Sequence, residues 1–512
     1  METSKLAYKR FSATNRLQGK ALLTAFNAVC CVSIFFFGYD QGMMSGVNNS
    51  EDYINTMKYG YVGEDGTPVV TNSAKQGGIV AVYYLGTLIG CLLGGVIGDS
   101  IGRVKTVVVG CAWSVFGAAL QCSAQNVPWM VCARLINGIG TGHLNAIVPV
   151  WAAEISDFSS RGAFIAQEFT LNIFGVVVAY WLEYGLSFID GGRTQFRWRF
   201  PIAFQIIPLL VLAVVVNLMP ESPRWLIKVG RRVDAEYILT RLRVDPAAAR
   251  READEIEAIV QLEKGEPLPH RQTGPAGDLA TDRTRMGGDC GCDCVCAEDF
   301  LWGGVYAEQV ELACGHWTSL DSLLGGRGTR YRHVPRGGFS RLTFDAAGTS
   351  KQAQYGGAAA FFVFLYTFVF GATWLTVPWL YPTEIFPLEC RARGNSWGVV
   401  GWSIGNGWLT LLTPVMFNAI NEKTLYVFGA CNILAIPFVW AFYPETNQRT
   451  LEEMDLLFSA DSIFAWEAEK AFAKMQMEHP EVIHQAHAQG APINPVADQD
   501  SLDEFHAESP KV

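Results

Sequence analysis

Two opposite charges lie within apolar stretches of the sequence. Asp40 follows Phe35-Phe-Phe-Gly-Tyr in the apolar run 21–46, and Arg134 lies in a second run, 128–150. If both runs are helices that cross a bilayer in opposite directions, each charge lies ~10 Å below the same surface, at 1.5 Å per residue. Ionisable side chains at such a depth are costly and usually mark an ion or proton path. The spacing predicts an Asp40–Arg134 pair that handles protons; the alternative is a structural helix end above the hydrocarbon.

A run of alternating cysteines, Cys290-Gly-Cys-Asp-Cys-Val-Cys296, suggests a soft-metal cluster, with Cys314 and His316 downstream. Zinc sites, however, usually space their cysteines by two to four residues. A second interpretation starts from the codons: Cys-Asp-Cys read one base forward gives Val or Ala, then Ile or Thr, then Val or Ala. That is the composition of a membrane helix. We therefore interpret the stretch of about 286–345 as sequence translated out of frame or left unspliced, and we predict no metal or other cofactor.

Apolar runs of membrane length dominate the rest of the sequence. Half of the residues are hydrophobic and 17% are charged, against about 25% charged in a typical soluble domain. About 20 apolar residues cross the hydrocarbon core, and irregular backbone does not face lipid, so these runs must be helices. The predicted fold class is all-α, a polytopic transmembrane helical bundle in the lipid bilayer. The nine predicted spans are 21–46, 77–98, 106–123, 128–150, 163–184, 201–219, 356–380, 395–417 and 424–443.

Lysine and arginine in the short loops predict the orientation. The basic residues of the N-terminus and those after the second, fourth and sixth spans fall on one side, which places the N-terminus in the cytosol; the stretch Arg193–Arg199 is an exception on the outer side. No basic field suits nucleic acid. The predicted divisions are a cytosolic tail (1–20), a six-helix half (21–219), a cytosolic helical linker (220–264), an anomalous segment of low hydrophobicity (265–350), the remaining C-terminal helices (351–443) and a second cytosolic tail (444–512).

The loop after the second span reads Gly95-Val-Ile-Gly-Asp99-Ser-Ile-Gly102-Arg103. Its glycines allow a tight turn, and Asp99 and Arg103 can form a charge pair at the cytosolic ends of neighbouring helices. This pattern resembles the signature loop of the major facilitator superfamily, although Ser100 stands where that family commonly has Arg.

Four further stretches, each at a helix end or within a helix, resemble the sugar porter branch of that superfamily. The resemblance covers about 21–240 and 351–460. The stretches are Arg134-x-x-x-Gly138-x-Gly140-x-Gly142, Pro149-Val-Trp-Ala-Ala-Glu154 with Arg161-Gly162, Pro220-Glu-Ser-Pro-Arg-Trp-Leu226 and Pro444-Glu-Thr-Asn-Gln-Arg-Thr-Leu451.

The resemblance implies roles for the charged residues of these motifs. Proton-coupled sugar porters carry an Asp and an Arg at the positions of Asp40 and Arg134. The cytosolic motifs build salt bridges that hold the inner side shut in the outward-open state, a network present in one conformer that biases a two-state equilibrium. The alternative is a set of plain surface charges. The residues of this predicted gate are Asp99, Arg103, Glu154, Arg161, Glu221, Arg224, Glu384, Arg391 and Glu445.

The resemblance also implies a substrate site near the bilayer midplane. Trp379, five residues before Glu384, resembles the sugar-stacking Trp of the family, unless it belongs to an interfacial aromatic belt. Asn406 resembles a sugar-facing Asn. The sugar-binding Gln of the fifth helix falls at Phe169, with Gln167 nearby as the predicted substitute.

The second half departs from the family. The Gln-Gln pair and Asn of its seventh helix are missing from the sequence. If 265–350 contains no span, Arg391 and Arg393 face outside, against both the motif and the positive-inside rule. An odd number of spans is therefore missing, and three, helices seven to nine, fits the family.

We predict a secondary active sugar transporter, proton-coupled and working by alternating access, in the plasma membrane and monomeric. Its partners are a small sugar and protons, and the chain as written is expected to be inactive without helices seven to nine. A non-transporting sugar sensor of the same fold is the alternative, although the cytosolic tail of only ~50 residues favours transport. A membrane enzyme ranks last, because the sequence offers no nucleophile–base set.

Overall fold

The computed structural model describes residues 17–63, 68–156, 161–189, 193–263, 377–386, 391–420, 424–446 and 464–478, with residues 354, 454 and 457. The anomalous segment 265–350, the alternating cysteines and most of the predicted span 356–380 lie outside the described residues.

Helices form most of the described chain, as the apolar runs predicted. The first half contains α1 (Gly19–Val47), α2 (Glu51–Met57), α3 (Ser73–Ile101), α4 (Arg103–Cys122), α5 (Val127–Ile155), α6 (Arg161–Ser187), α7 (Phe196–Phe204) and α8 (Ile206–Val216). Within the described ranges, five stretches are long and apolar enough to cross a membrane: α1, α3, α4, α6 and α7 taken together with α8. Helix α5 has membrane length but is more polar, since it carries Arg134, Asn137, His143 and Asn145, all buried.

The sixth predicted span, 201–219, begins earlier than expected and is interrupted. It consists of α7 and α8, separated at Gln205. Pro208 explains the break, because proline has no N–H to donate to the carbonyl of Phe204 and its ring crowds that carbonyl.

Glycines let the long helices of this half pack backbone against backbone. A Cβ on Gly138 of α5 would lie 2.2 Å from the carbonyl oxygen of Tyr83 in α3. A Cβ on Gly38 of α1 would lie 1.9 Å from the carbonyl oxygen of Asn172 in α6. Such distances exclude any side chain, so the glycine spacing seen in the sequence sets the close α3–α5 and α1–α6 contacts.

The linker that was predicted to be cytosolic folds into three helices rather than one or two: α9 (Pro223–Lys228), α10 (Arg232–Arg243) and α11 (Pro246–Glu263). Arg232 joins α10 to α11 through ion pairs with Asp254 and Glu257. Arg241 Nη2 donates to the carbonyl oxygen of Leu17 at 3.2 Å, which ties this layer to the start of α1.

The opposite end of the bundle carries α2 and an antiparallel hairpin of β1 (Gly60–Val62) and β2 (Pro68–Val70). Trp198 Nε1 donates to Asp52 at 2.8 Å, and the Tyr59 hydroxyl donates to the carbonyl oxygen of Asn48 at 2.7 Å. These bonds hold α2 and the hairpin against α7 and the end of α1.

The described C-terminal part comprises α12 (Val377–Ile385), α13 (Arg391–Ile420), α14 (Thr424–Phe442) and α15 (Ala465–Glu478). Helix α13 lies along α3 for most of its length. Gly77 of α3 meets Leu411 near one end of the contact, and Gly95 meets Ser396 near the other. This long contact joins the C-terminal helices to the first half.

Candidate transport site and cytosolic gate

Asp40 lies in the middle of a polar cluster inside the first half. It is 2% exposed, and Asn137 Nδ2 lies 3.2 Å from each of its carboxylate oxygens. Arg134 Nη1 lies 3.8 Å from Asp40 Oδ1. Arg134 and Asn137 are three residues apart on α5, so they share one face of that helix. The structure thus brings together the two charges that the sequence paired by depth.

Tyr83 completes the cluster from α3. The guanidinium carbon of Arg134 lies 4.7 Å from the centroid of the Tyr83 ring, and Arg134 is 2% exposed. Within the described chain, Arg134 Nε and Nη1 have no hydrogen-bond partner. The cation is therefore balanced by one carboxylate and one aromatic face, so protonation of Asp40 would change its environment strongly.

Asn137 and Tyr83 were not predicted. The position of Asn137 one turn after Arg134 was a readable signal, because residues at i and i+3 of a helix face the same way. Tyr83 had no such signal, since it comes from another helix.

Aromatic side chains from both parts of the chain meet around Trp379. Trp379 of α12 is 4% exposed, and its ring stacks on Phe169 of α6, with centroids 5.0 Å apart and planes at 19°. The rings of Phe37 in α1 and Trp402 in α13 also pack against Trp379, with centroids 6.1 Å and 5.8 Å from its ring centroid. Trp379 is therefore a buried contact between the halves and not an exposed ring of an interfacial belt.

Trp402 links this group to α3, since its ring centroid lies 5.3 Å from that of Tyr84. Its Nε1 is buried and has no partner within the described chain. Asn406, one turn later on α13, is 2% exposed, with Nδ2 3.4 Å from the carbonyl oxygen of Trp402. We call Phe37, Phe169, Trp379 and Trp402 the aromatic cluster. It offers ring faces for stacking and one free indole donor.

The structure does not bring Gln167 to the aromatic cluster. Its side chain is exposed and accepts a hydrogen bond from Asn27 Nδ2 of α1. Positions two apart on a helix point in nearly opposite directions, and Phe169 occupies the direction toward Trp379. The choice of Gln167 as a substrate-binding amide is therefore not supported by its position.

The end of the first half that is predicted to face the cytosol holds a buried charge network centred on Arg103. Arg103 Nε and Nη2 each donate to the Glu154 carboxylate at 2.8 Å, a bidentate pair. Arg103 Nη1 also lies 3.3 Å from Asp99. Both Arg103 and Glu154 are nearly inaccessible to solvent. Bidentate geometry in a buried setting makes this pair a fixed part of the fold.

Glu221 belongs to the same network but acts on backbone. It accepts from the backbone N–H of Arg103 at 2.9 Å and from that of Val104 at 3.2 Å, at the N-terminus of α4. Burial raises the pKa of Glu221, while hydrogen bonds from the backbone N–H groups of Ser222 and Arg103 oppose that rise. Ser222 Oγ in turn caps α9 by accepting from the Trp225 N–H at 3.2 Å. The Pro-Glu-Ser-Pro motif thus caps two helices.

Asp99 contacts both the second half and the linker on this side. Arg393 Nε of α13 lies 3.8 Å from Asp99 Oδ2, and Lys228 Nζ of α9 lies 3.6 Å from Asp99 Oδ1. Asn395 Nδ2 donates to the carbonyl oxygen of Ala146 at 2.8 Å. Arg393 was not among the predicted gate residues, although it lies two residues after Arg391, which was.

The other predicted gate residues lie on the same side in less defined roles. Arg391 is buried, and its Nε donates to the carbonyl oxygen of Phe386 at 3.2 Å. Glu384 and Arg224 are half-buried, and Glu445 is exposed. Arg161 begins α6, but its side chain lies outside what the structure describes. In the described part of the chain, no group of three or more His, Cys, Asp or Glu side chains could hold a metal ion.

Comparisons with known proteins agree with this architecture. A family model described as "Sugar (and other) transporter" matches residues 26–285 and 340–458. The unmatched stretch between them falls within the anomalous segment. Among curated proteins, the chain is similar to the sugar transporter STL1 of Saccharomyces cerevisiae, 26% identical over 502 residues and covering 91% of this chain and 87% of that one. It is also similar to the MFS-type transporter oryC of Aspergillus oryzae, 29% identical over 470 residues and covering 83% of each.

The fold is similar to that of a solved proton:xylose symporter bound to 6-bromo-6-deoxy-D-glucose. The TM-score is 0.62 at 21% identity, over 86% of this chain and 99% of that one. A second structure of the same symporter, in a partially occluded inward-open conformation, gives a TM-score of 0.57 at 20% identity, over 83% of this chain and all of that one.

Proposed function

Because this chain belongs to the sugar transporter family of the major facilitator superfamily, we propose that its fold moves a sugar together with protons by alternating access. The observation that carries the proton part is the buried cluster of Asp40, Arg134, Asn137 and Tyr83. An Asp–Arg pair with so little solvent contact destabilises the folded protein, and ionisable residues of this kind in membrane helices usually mark a functional site. The membrane location and the absence of an enzymatic role follow from the family.

Asp40 is the proton acceptor in this proposal. Its carboxylate takes a proton from water when the site faces outside and becomes a neutral carboxylic acid. Arg134 then loses its counter-charge and keeps only the face of Tyr83, so the two protonation states favour different helix arrangements. Asn137, within 3.2 Å of both oxygens, positions the carboxyl for this exchange.

The aromatic cluster is the proposed place of the sugar. A pyranose ring presents an apolar face that stacks on indole, and its hydroxyls accept and donate hydrogen bonds. The Trp402 indole N–H and the Asn406 amide supply polar groups beside the rings. Because Phe169 covers Trp379 here, a sugar must displace one ring from the other to reach the Trp379 face.

The Asp99 network is the proposed inner gate. Arg393 is the cation that joins Asp99 to the second half, so breaking this contact lets α13 separate from α3 on the cytosolic side. The N-terminus then lies in the cytosol, on the side of the Arg103–Glu154 pair. We place the transporter in the plasma membrane as a monomer.

We further propose that the chain as printed does not accumulate sugar. The seventh-helix amides of the family are missing from the sequence, and the stretch of about 286–345, outside the described residues, is read as out of frame. A version with the reading frame restored would supply helices seven to nine. Alignment of the genomic DNA in three frames checks the reading itself.

Uptake measurements test both the proton coupling and the inactivity of the chain without helices seven to nine. In a transport-deficient cell, radiolabelled hexose uptake is measured for the printed chain and for the frame-restored chain, with external pH recorded. The restored chain should accumulate hexose and alkalinise the medium, and Asp40→Asn should abolish accumulation. Substrate-driven pH change that persists in Asp40→Asn contradicts the coupling, and uptake by the printed chain contradicts the frame reading. Hexose binding without uptake by the restored chain would favour the sensor.

A further inference from the structure

Glu168 is a carboxyl group buried inside the membrane part of the first half. Its exposed fraction is 0%, and neither of its carboxylate oxygens has a hydrogen-bond partner within the described chain. Among the described residues, no cation forms a hydrogen bond or an ion pair with it. A carboxylate in such surroundings would be far more costly than a neutral carboxylic acid. The arrangement is therefore stable only with a proton on Glu168.

The position of Glu168 follows from the register of α1 against α6. Gly38 of α1 meets Asn172, and Gly42 meets Val176, four residues further along both helices. One turn back, the same register places Glu168 opposite the segment Cys30–Ile34. Cys30 and Cys31 are the residues of this segment that carry titratable side chains. Neither thiol is a cation, so neither compensates a negative charge.

This contact between α1 and α6 contains a row of polar groups. Asn172 Nδ2 lies 3.5 Å from the carbonyl oxygen of Ile34, and Ser33 Oγ is buried without a partner in the described chain. Nearer the cytosol, Asn27 donates to the exposed Gln167. We call Asn172, Ser33, Glu168, Asn27 and Gln167 the polar row. It places a buried carboxyl and an exposed amide in the same α1–α6 contact, with no hydrogen bond from Glu168 to the other members in the arrangement seen here.

Asp40 lies beyond the other end of the polar row. Ten residues separate Asp40 from Cys30 on α1, about 15 Å of helix. Glu168 is thus about halfway between Asp40 and the cytosolic start of α1. A direct proton transfer over that distance needs intermediate groups, and a carboxyl is the usual one in membrane proteins.

We propose that Glu168 is a second proton-binding carboxyl of this chain, on the cytosolic side of Asp40, which holds a proton in the arrangement seen here and releases it toward the cytosol when α1 and α6 move apart. In that step the O–H bond of Glu168 breaks, water takes the proton as hydronium, and the carboxylate is hydrated. A proton arriving from the side of Asp40 restores the acid. This inference rests on the proposed proton coupling for its role, but not for the protonation state.

Infrared spectroscopy tests the protonation state directly. The full chain is reconstituted in lipid at neutral pH, and the carbonyl band of protonated carboxyl groups is compared with that of Glu168→Gln. In the parent protein, the band of Glu168 should shift in heavy water. In Glu168→Gln that band should be missing. An unchanged band in Glu168→Gln means that Glu168 is ionised and overturns the proposal. Glu168→Asp, which keeps an acid, should move the band rather than remove it, and serves if the Gln variant does not fold.

Glu183 is the matched control on the same helix. It is also buried, but its Oε1 accepts from the Val47 N–H at 3.2 Å, at the outer end of the α1–α6 contact. In the frame-restored chain, Glu168→Gln should lose substrate-driven proton flux while sugar counterflow, which needs no net proton movement, persists. Glu183→Gln should leave the pH dependence of flux as in the parent. Proton flux that is intact in Glu168→Gln overturns the relay role; flux that is intact in Asp40→Asn instead contradicts the proposed coupling.

Discussion

Phe169 of α6 and Trp379 of α12 lie face to face, with ring centroids 5.0 Å apart and planes 19° from parallel. One ring belongs to the first half and the other to the second. The two halves therefore meet through an aromatic stack at the proposed sugar site. A sugar that stacks on Trp379, as proposed, must compete with Phe169 for that ring face.

Trp379→Ala should weaken sugar binding in the frame-restored chain more than it lowers the amount of folded protein. The change removes the ring face that is proposed to stack on the sugar, and aromatic ring contacts contribute about 0.5–1.5 kcal/mol beyond area burial. Apparent affinity from uptake at a series of sugar concentrations measures it. Trp181→Ala is the matched control, because that ring is 69% exposed on α6. Equal affinity in Trp379→Ala and the parent would remove Trp379 from the sugar site.

Arg103→Met should destabilise the folded chain strongly. It leaves Glu154 buried without its bidentate partner, and breaking a buried pair in this way costs about 3–5 kcal/mol. Thermal unfolding in detergent measures the loss. Arg232→Met is the control: the side chains of its partners are 30–55% exposed, and ion pairs near the surface contribute only about 0.2–1 kcal/mol each. Similar losses in both variants would mean that the Arg103–Glu154 pair is not buried as described.

Asp99→Asn should favour opening on the cytosolic side. The change removes the negative charge that faces Arg393 at 3.8 Å and Lys228 at 3.6 Å. A cysteine placed at Ser396, where α13 meets Gly95, reports the opening through its rate of labelling by a membrane-permeant thiol reagent. Labelling should be faster in Asp99→Asn than in the parent background. Slower or equal labelling would show that Asp99 does not hold the halves together.

The pH dependence of stability should contain a contribution from Glu221. Because burial raises its pKa above the usual value, the folded state binds a proton more tightly than the unfolded state. The resulting stabilisation is fully present below the ordinary glutamate pKa and is lost as pH rises through the raised value. Thermal unfolding of the parent and of Glu221→Gln across this pH range checks it. The Gln variant, which still offers an oxygen to the Arg103 and Val104 N–H groups, should show a flatter profile.

Gly138→Val should prevent normal folding of the first half. The added side chain would begin 2.2 Å from the carbonyl oxygen of Tyr83, a backbone atom that cannot move aside. Overpacking usually costs about 1–3 kcal/mol, and more where backbone must shift. Gly185→Val is the control, since nothing lies within 4 Å of its added Cβ. The fraction of monodisperse protein after detergent extraction measures the difference.

The length and composition of the apolar runs were enough to predict the helical fold class, and the short motifs at the helix ends predicted the family. Membrane helices are specified by apolar length, so the runs around Asp40 and Arg134 were readable directly. Their common depth followed from the rise per residue, and the structure brings the two within 3.8 Å. The break near Gln205 was readable from Pro208 but was missed, because the run is apolar on both sides.

Tertiary packing decided which side chains of those helices meet. Gln167, Glu168 and Phe169 are consecutive on α6, yet one is exposed, one is buried against α1 and one stacks on Trp379. The sequence favoured the amide, because amides bind sugars. Each residue turns a helix by about 100°, so a difference of one position changes the partner, and only the packed helices determine which direction leads to the substrate, the neighbouring helix or the surface. The contact between Arg393 and Asp99 has the same origin, since it joins residues almost 300 positions apart that only the α3–α13 packing brings together.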